Sequence, residues 1–586
     1  MLMAKLSVLK RLFAYLWQDH KLKLLVAIFC VIVSNFALIA VSYALKIMLD
    51  NYILPMIQAK SLDFTNFYKF IAYLASLFLA GAIANYWYNK LLIICGLKIQ
   101  KALRLTLFKH MQALPLAYFD KNPSGNIMSL YSNDIENIQS FYTQAISSLF
   151  LNSIQVLITV CIMFSMSPIL TAISLGFVLI MFFVSRYIGA WSSKYFSVRQ
   201  AALADLTGLI EEQFAGLRVI KTFNHEKASL AKFTQVNNYL NTCEIKATAS
   251  SQTIRPIIRN LGDLQFIITA IIGCLLITKQ ISSLSIGSLA AYLNLSRSFT
   301  TPFMELAQLF NTIMLALAGA ERIFNTLAIE PEVDQGKLEK LPENATIELR
   351  NLCFAYISGK PVLHNLNLTA KAGHKIAFVG ATGAGKTTIT NLLNRFYEVP
   401  AASIFYGGID IKQFKKSALR SSLSIVLQDT NLFSGSIREN IRYGNLLASD
   451  AEVVQAARLA MADSFISHLP NGYDTIISGD MSEISEGQAQ LLAIARAMLA
   501  KTPILILDEA TSNIDLRTER LVQMGLDNLM QGKTVFIIAH RLSTVKNCEQ
   551  IIVLDHGQVV EQGTHAELLN KHGTYHDLYT GKLEMA

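Results

Sequence analysis

Charge is scarce in this chain. Only 16% of its 586 residues are Asp, Glu, Lys or Arg, against about 25% in ordinary soluble domains. Hydrophobic residues make up 52%, and the mean hydropathy is +0.38. That balance excludes a disordered chain, a collagen-like chain and a simple soluble enzyme. A membrane-embedded part is the economical reading. Paired cysteine motifs are missing as well. Cys30, Cys95, Cys161, Cys243, Cys274, Cys353 and Cys548 stand apart with no CxxC pair. They read as packed thiols, not as a disulfide framework or a metal site. No internal repeat and no low-complexity tail is visible. No cleavable signal peptide is expected either, because the first apolar run starts only near Leu24. Acidic residues are outnumbered, leaving a net charge of +9. In a membrane protein that excess reflects Lys and Arg held on the cytoplasmic side, not a nucleic-acid partner.

What is present is a set of long uncharged runs. Leu24 to Leu45 is 22 residues without a charge, enough to cross about 30 Å of hydrocarbon. Phe70 to Asn89 is a second run. From Asn137 to Ser185 there is no charge at all, and Ser165-Met166-Ser167-Pro168 supplies a turn inside it. That stretch is expected to be a hairpin of two spans. Ile257 to Thr278 and Ile286 to Leu315 make a fifth and a sixth, both with internal charges. Lys and Arg crowd the N-terminal segment and the stretches between spans two and three and between spans four and five. The opposite loops hold little beyond Lys60 and Lys279. Both termini are therefore expected in the cytoplasm. The two long basic stretches are apolar-periodic, so the helices are expected to run on to tips at Pro115 to Gly125 and near Gly216. Leu6 to Trp17 fits an amphipathic helix on the lipid surface or an ordinary lead-in, and the sequence leaves both open.

Past Glu321 the chain changes character. Short Val/Ile/Leu runs alternate with helical patterns and Gly-rich turns, which is the mark of an α/β domain. The expected organisation is a transmembrane domain over residues 1–322, a linker over 323–344 and an α/β domain over 345–586. The run Lys375 to Val379 reads as a buried strand leading into Gly380-Ala381-Thr382-Gly383-Ala384-Gly385-Lys386-Thr387 and then an apolar helix. This is GxxxxGK[ST] in the strand–loop–helix setting of a P-loop. Backbone N–H groups would converge on phosphate oxygens, Lys386 would neutralise the β and γ phosphates, and Thr387 would hold Mg²⁺. A second apolar strand, Pro503 to Leu507, ends in Asp508-Glu509. Carboxylates at the C-terminal end of such a strand sit where α/β sheets bind ligands. Asp508 fits support of Mg²⁺, and Glu509 fits the base or orienter for an attacking water.

Between these strands lies Ile484-Ser485-Glu486-Gly487-Gln488. With it, the last 240 or so residues resemble the nucleotide-binding domain of an ATP-binding-cassette transporter, and the whole chain resembles an exporter-type half-transporter. The resemblance implies a fold of six long transmembrane helices followed by an α/β P-loop domain, with ATP and Mg²⁺ as cofactors. It implies a Q-loop at Gln428, a D-loop at Ser512 to Asp515 and an H-loop histidine at His540. It also makes Tyr356 the aromatic that stacks on adenine. The implied nucleotide contacts are Tyr356, Gly380, Thr382, Gly383, Gly385, Lys386, Thr387, Thr388, Ser485, Gly487, Gln488 and Asp515. The implied metal-binding set is Thr387, Gln428 and Asp508, and the implied catalytic set is Glu509, His540 and Gln428. Pro115, Asp120 and Gly125 match the family's first coupling loop. A single P-loop means that a second chain must complete each ATP site.

The chain departs from the family at LSGGQ, where it has Ile-Ser-Glu-Gly-Gln. A side chain at Glu486 obstructs backbone approach, and its carboxylate repels phosphate by about 1 to 4 kcal/mol at close range. Gly479-Asp480-Met481-Ser482 and Asn513 also depart. Walker A, Glu509 and His540 are intact. The pattern resembles the competent-Walker-B chain of a bacterial heterodimeric multidrug exporter, whose partner has an intact LSGGQ and lacks the catalytic Glu. The expectation is therefore ATP-driven export of amphiphilic small molecules across the bacterial cytoplasmic membrane. A homodimeric lipid or peptide translocator is the alternative, and an ATP-gated channel or sensor is the third reading. For substrate contact the sequence offers the charges Arg259, Asp263, Arg297 and Glu305, with Arg259 and Asp263 spaced to pair along one helix; the alternative is that they lie in cytoplasmic extensions and are simply solvated. Tyr43, Tyr86, Trp87 and Tyr292 fit interfacial belts and packing.

Overall fold

Uncharged runs of this length become continuous helices, because hydrocarbon offers no partner to an unpaired backbone group. The computed structural model describes residues 2–59, 64–279, 284–342, 346–357, 359–428, 430–478, 484–508, 515–539, 545–580 and 582. The chain divides into two compact units, Met1–Gln112 with Ser124–Ile329, and Ala113–Pro123 with Glu330–Ala586.

The first unit is helical. Its main rods are α1 (Leu2–Ile47) and α2 (Thr65–Gln112). After residues 113–123, which belong to the second unit and carry the short helix α3 (Leu116–Lys121), come α4 (Ile146–Met166), α5 (Pro168–Ala215) and α6 (Glu226–Gln252). The last two are α7 (Ile254–Thr278) and α8 (Ile286–Leu327). Among the described residues, five helical stretches are long and apolar enough to cross a membrane. The sixth expected run forms the 42-residue α8, which carries Arg297 and Glu305. The hairpin turn falls at Ser167, whose extended backbone and Oγ cap α5 while Pro168 takes its first turn. Phe29, Phe36, Phe78, Leu157, Phe183 and Ile271 are all more than half exposed. Such a surface is costly in water and neutral in lipid. Inside, small residues set the approach: a Cβ at Gly81 would lie 2.5 Å from that of Ala37.

Several expectations change here. Residues 6–17 form the start of α1 and not a separate surface helix. Val8, Leu12 and Leu16 are buried, and Tyr142 donates to the Leu12 carbonyl at 2.7 Å. Asp263 does not stay on its own helix. It takes Arg297 of α8 at 3.5 Å, and that guanidinium lies over Phe266. Tyr292 is fully buried, with its hydroxyl 3.1 Å from Ser174 Oγ, whereas Tyr86 and Trp87 are exposed beside Lys90. The cysteines form no disulfide. Cys95, Cys243 and Cys548 are buried, but Cys161, Cys274 and Cys353 are exposed.

The second unit is α/β. Strands β1 (Ile347–Phe354), β2 (Leu363–Ala370), β4 (Ile404–Tyr406) and β5 (Ile409–Asp410) make an antiparallel sheet ordered β2-β1-β4-β5. A larger sheet is ordered β12-β11-β3-β10-β9-β6. Its members are β3 (Lys375–Val379), β6 (Leu423–Val426), β9 (Ile504–Asp508), β10 (Thr534–Ile538), β11 (Gln550–Asp555) and β12 (Gln558–Gly563). All neighbours but β12 pair in parallel, and β10 is buried throughout, as a doubly covered parallel sheet requires. A two-stranded ribbon joins β7 (Gly435–Ser436) to β8 (Ile476–Ile477).

Glu332 ties this unit together. Its N–H donates to the Ala113 carbonyl at 2.7 Å, and its carboxylate takes Lys416 at 3.0 Å and Arg420 at 2.6 Å. Burial pushes the carboxyl up, but the hydrogen bonds from Arg420 and Lys416 outweigh it and hold the group below its ordinary value. A depressed carboxyl stabilises the fold above the unfolded-state pKa, and that gain fades as pH falls through the folded-state value. Glu332→Gln is therefore expected to lower the cassette's thermal midpoint near pH 7 by about 3 to 8 °C. The gap should close below about pH 4, and a gap that persists unchanged in acid would contradict the assignment.

Candidate functional site

The site is built on the turn that follows β3. Gly380, Gly383 and Gly385 all have positive φ, at 153°, 83° and 100°. At Gly380 a Cβ would lie 2.1 Å from the Leu554 carbonyl oxygen, and at Gly385 one would lie 2.7 Å from Leu363 Cδ2. Only glycine can make this turn between packed strands. It opens α9 (Lys386–Leu393), whose N-cap is Gly385 with no side-chain cap. The start of α9 therefore has no side-chain cap, and its helix dipole points at whatever acceptor the turn receives. Lys386 is buried, and its Nζ donates to the carbonyls of Gly380 (2.6 Å) and Ala381 (3.1 Å). Thr382, Gly383 and Thr387 are exposed, and Thr388 is buried behind them.

Strand register gathers the other groups. Phe378 of β3 pairs with Ile538 of β10, and Ile538 pairs with Asp508 of β9. The P-loop, Asp508 and the exit of β10 therefore leave one edge of the sheet, at strand C-termini. Gln428 is exposed two residues past β6 on that same edge. Glu509, Ser512, Asn513, His540 and Gly479 to Glu483 lie outside the described residues. Thr387, Gln428 and Asp508 offer a hydroxyl, an amide and a carboxylate. These are hard oxygen donors of the kind Mg²⁺ takes together with water and phosphate oxygens. Among the described residues no three His, Cys, Asp or Glu side chains converge.

Beside the P-loop stands an aromatic cluster. The Tyr356 hydroxyl lies 3.2 Å from Thr388 Oγ1 and receives Asn391 Nδ2 at 3.4 Å. Its ring, 38% exposed, meets Tyr397 edge-on at 4.8 Å and Phe354 at 5.0 Å. Tyr397 in turn donates its hydroxyl to Asp120 on α3. Burial and that carboxylate both raise the phenol above its ordinary value, keeping it a donor. Tyr397 and Asn391 are contacts that sequence reasoning missed. Asp120 and Tyr397 are 277 residues apart, and no local spacing announces such a pair.

Ser485, Gly487 and Gln488 form a separate turn. Ser485 is the N-cap of α12 (Glu486–Leu499), reached in chain order after α10 (Ile437–Arg442) and α11 (Asp450–Leu459). Its Oγ accepts from Gln488 N at 3.3 Å, and Gln488 Oε1 accepts from Ser485 N at 3.0 Å, which closes a capping box. Glu486 is the exposed first residue of the helix, and Gly487 is buried. A carboxylate there is favoured by the same dipole that would otherwise favour phosphate. Arg496 fixes α12 from the other side by donating to the Asn440 carbonyl at 3.0 Å and the Asn431 carbonyl at 3.1 Å. Asp515 caps α13 (Leu516–Met530), accepting from Thr518 N at 3.1 Å, which holds its carboxyl below the usual range. The structure thus brings together the P-loop, Thr388, Tyr356 and, by register, Asp508 and Gln428. It leaves the Ser485 turn and Asp515 as clusters of their own.

Two family profiles match this chain, the ABC transporter transmembrane region over residues 24–303 and the ABC transporter domain over residues 363–512. The uncharacterized ABC transporter ATP-binding protein YfiC of Bacillus subtilis is 40% identical over 580 residues, covering 99% of this chain and 94% of the relative. The fatty acid ABC transporter ATP-binding/permease protein of Mycobacterium tuberculosis is 37% identical, covering 89% and 83%. The ATP-dependent lipid A-core flippase of Syntrophus aciditrophicus is 35% identical, covering 98% and 94%.

The glycine geometry sets an expected outcome. Gly380→Ala places a methyl against the Leu554 carbonyl, so the loop must move. Affinity for a fluorescent ATP analogue is expected to fall at least about tenfold, the equivalent of about 1.4 kcal/mol. Parent-like binding would contradict the close approach.

Proposed function

Because the chain belongs to the ABC transporters, as a half-transporter that couples ATP hydrolysis to export, we propose that it moves hydrophobic or amphiphilic small molecules, in the manner of a multidrug exporter. In this reading it sits in the bacterial cytoplasmic membrane with both termini in the cytoplasm. It works beside a different second chain, with one competent and one degenerate ATP site. The observation that carries the asymmetry is the contrast between two helix starts. The N-terminus of α9 has no side-chain cap and so can receive a triphosphate. The N-terminus of α12 keeps the Ser485–Gln488 box that an intact LSGGQ also has, and differs in being fronted by the Glu486 carboxylate. This chain would then hold its own nucleotide well and present a poor signature to its partner's. The partner would supply an intact LSGGQ and lack the catalytic Glu.

Each residue then has a task. The P-loop N–H groups and Lys386 bind the β and γ phosphates, and Tyr356 stacks on the base. Thr387, Gln428 and Asp508 would hold Mg²⁺, which neutralises phosphate charge when bound. Glu509 accepts the proton of the attacking water, and His540 contacts the γ-phosphate. Asp120 on α3, held by Tyr397 next to Tyr356, passes closure of the cassettes toward the membrane helices. A second reading, a homodimeric lipid translocator, is favoured by the relatives named for fatty acids and lipid A-core.

In inside-out vesicles holding the whole transporter, Glu509→Gln is expected to bind ATP, stay in the closed cassette pair and lose uptake by at least about a hundredfold. Lys386→Ala is expected to weaken nucleotide binding itself. Parent-rate hydrolysis by Glu509→Gln would remove the catalytic assignment, and an ATP-independent flux of an amphiphilic dye would favour a channel.

A further inference from the structure

A cavity of about 300 Å³ lies within the membrane unit between α1, α4 and α8. Its polar lining is the hydroxyls of Ser42, Thr159, Ser298 and Thr301 and the amides of Asn152 and Gln155, with one charged side chain, Glu305. Among the described lining residues there is no Lys, Arg or His. Glu305 is 19 residues along α8 from Ile286 (305 − 286 = 19), or about 28 Å at about 1.5 Å per residue. A carboxylate facing such a cavity is costly unless another group balances its charge. The partner it does have is neutral: Asn152, 2% exposed, donates Nδ2 to Glu305 Oε2 at 2.9 Å. An amide orients a carboxylate without balancing its charge. Arg297, one charge nearer the helix start, is already engaged by Asp263 and Phe266. The same lining holds Pro302, which has no N–H to give the carbonyl of Ser298. One helix carbonyl on this stretch is thus left without its ladder donor. A carboxylate with hydroxyl and amide oxygens beside it makes a site rich in acceptors.

We infer that this cavity is a recognition subsite for the cationic head of an amphiphile, an ammonium or comparable organic cation, with Glu305 as counter-charge and Asn152 as its positioning residue. Its volume suits a head group and the first part of a tail, not a whole large cargo. An anionic head would meet a like charge there with no basic group on the described lining to offset it. The inference rests on the export reading and narrows it to one charge class.

The experiment measures ATP-dependent uptake into inside-out vesicles carrying the full chain with its partner. Three probes are used: a quaternary-ammonium styryl dye, its neutral isostere, and oleate as the anion. The parent protein is expected to take up the cation and leave the oleate. Glu305→Gln is expected to raise the half-saturating concentration of the cation at least tenfold while moving that of the neutral probe less than twofold, and Glu305→Asp should restore most of the loss. Equal effects of Glu305→Gln on the cationic and neutral probes would overturn the subsite, and so would a parent protein that takes oleate and ignores the cation. Should Glu305→Gln fail to assemble, the parent's choice between cation and oleate still decides the matter. If no probe moves with ATP, the export reading fails, and this inference falls with it.

Discussion

A helix begins with N–H groups that have no partner inside the helix, and this protein treats two such beginnings in opposite ways. At α9 a glycine of left-handed backbone turns the chain without supplying a side-chain acceptor. At α12 the side chains of Ser485 and Gln488 satisfy each other's N–H groups, and Glu486 adds a carboxylate at the helix start. In the proposed division of labour the first arrangement receives phosphate and Glu486 weakens the second. The rest of the cassette serves that division. The parallel sheet delivers Asp508 and Gln428 to the edge where α9 begins, and Arg496 fixes α12 at its place.

The membrane unit answers a different constraint. Its outward faces are covered with Phe, Leu and Ile that water would penalise and lipid does not. Some of its polar atoms are paired between helices, such as Gln265 Nε2 to Ser296 Oγ at 2.9 Å and Asn152 to Glu305. Pairs of this kind give the bundle a defined packing, and where the partner is only an amide they leave net charge facing a cavity. Residues Ala113–Pro123, which carry Asp120 to Tyr397, belong to the same compact unit as the cassette.

Much of this was legible in the residues. The P-loop is a local signal, because glycine spacing, lysine and the flanking strand and helix all lie within about twenty positions. The spans were legible because bilayer thickness fixes their length, and the hairpin was legible because Pro168 marks its turn. Contacts between distant positions were not. Asp263 stood four residues from Arg259 and looked paired along its helix, yet the neighbouring helix brings Arg297 to it. Leu12 and Leu16 read equally well as a lipid-facing stripe until packing buried them. Tyr397 had no motif to announce it, because its importance comes from two neighbours, Tyr356 and Asp120, that only the fold assembles.

The most direct measurement is ATP turnover by this chain purified without any other transporter polypeptide. A dimer of identical halves would bring Glu486 to both of its nucleotides, so turnover should be at least tenfold below that of the assembly with a chain bearing an intact signature. Equally fast turnover by the chain alone would show that Glu486 does not close the site and would contradict the division of labour.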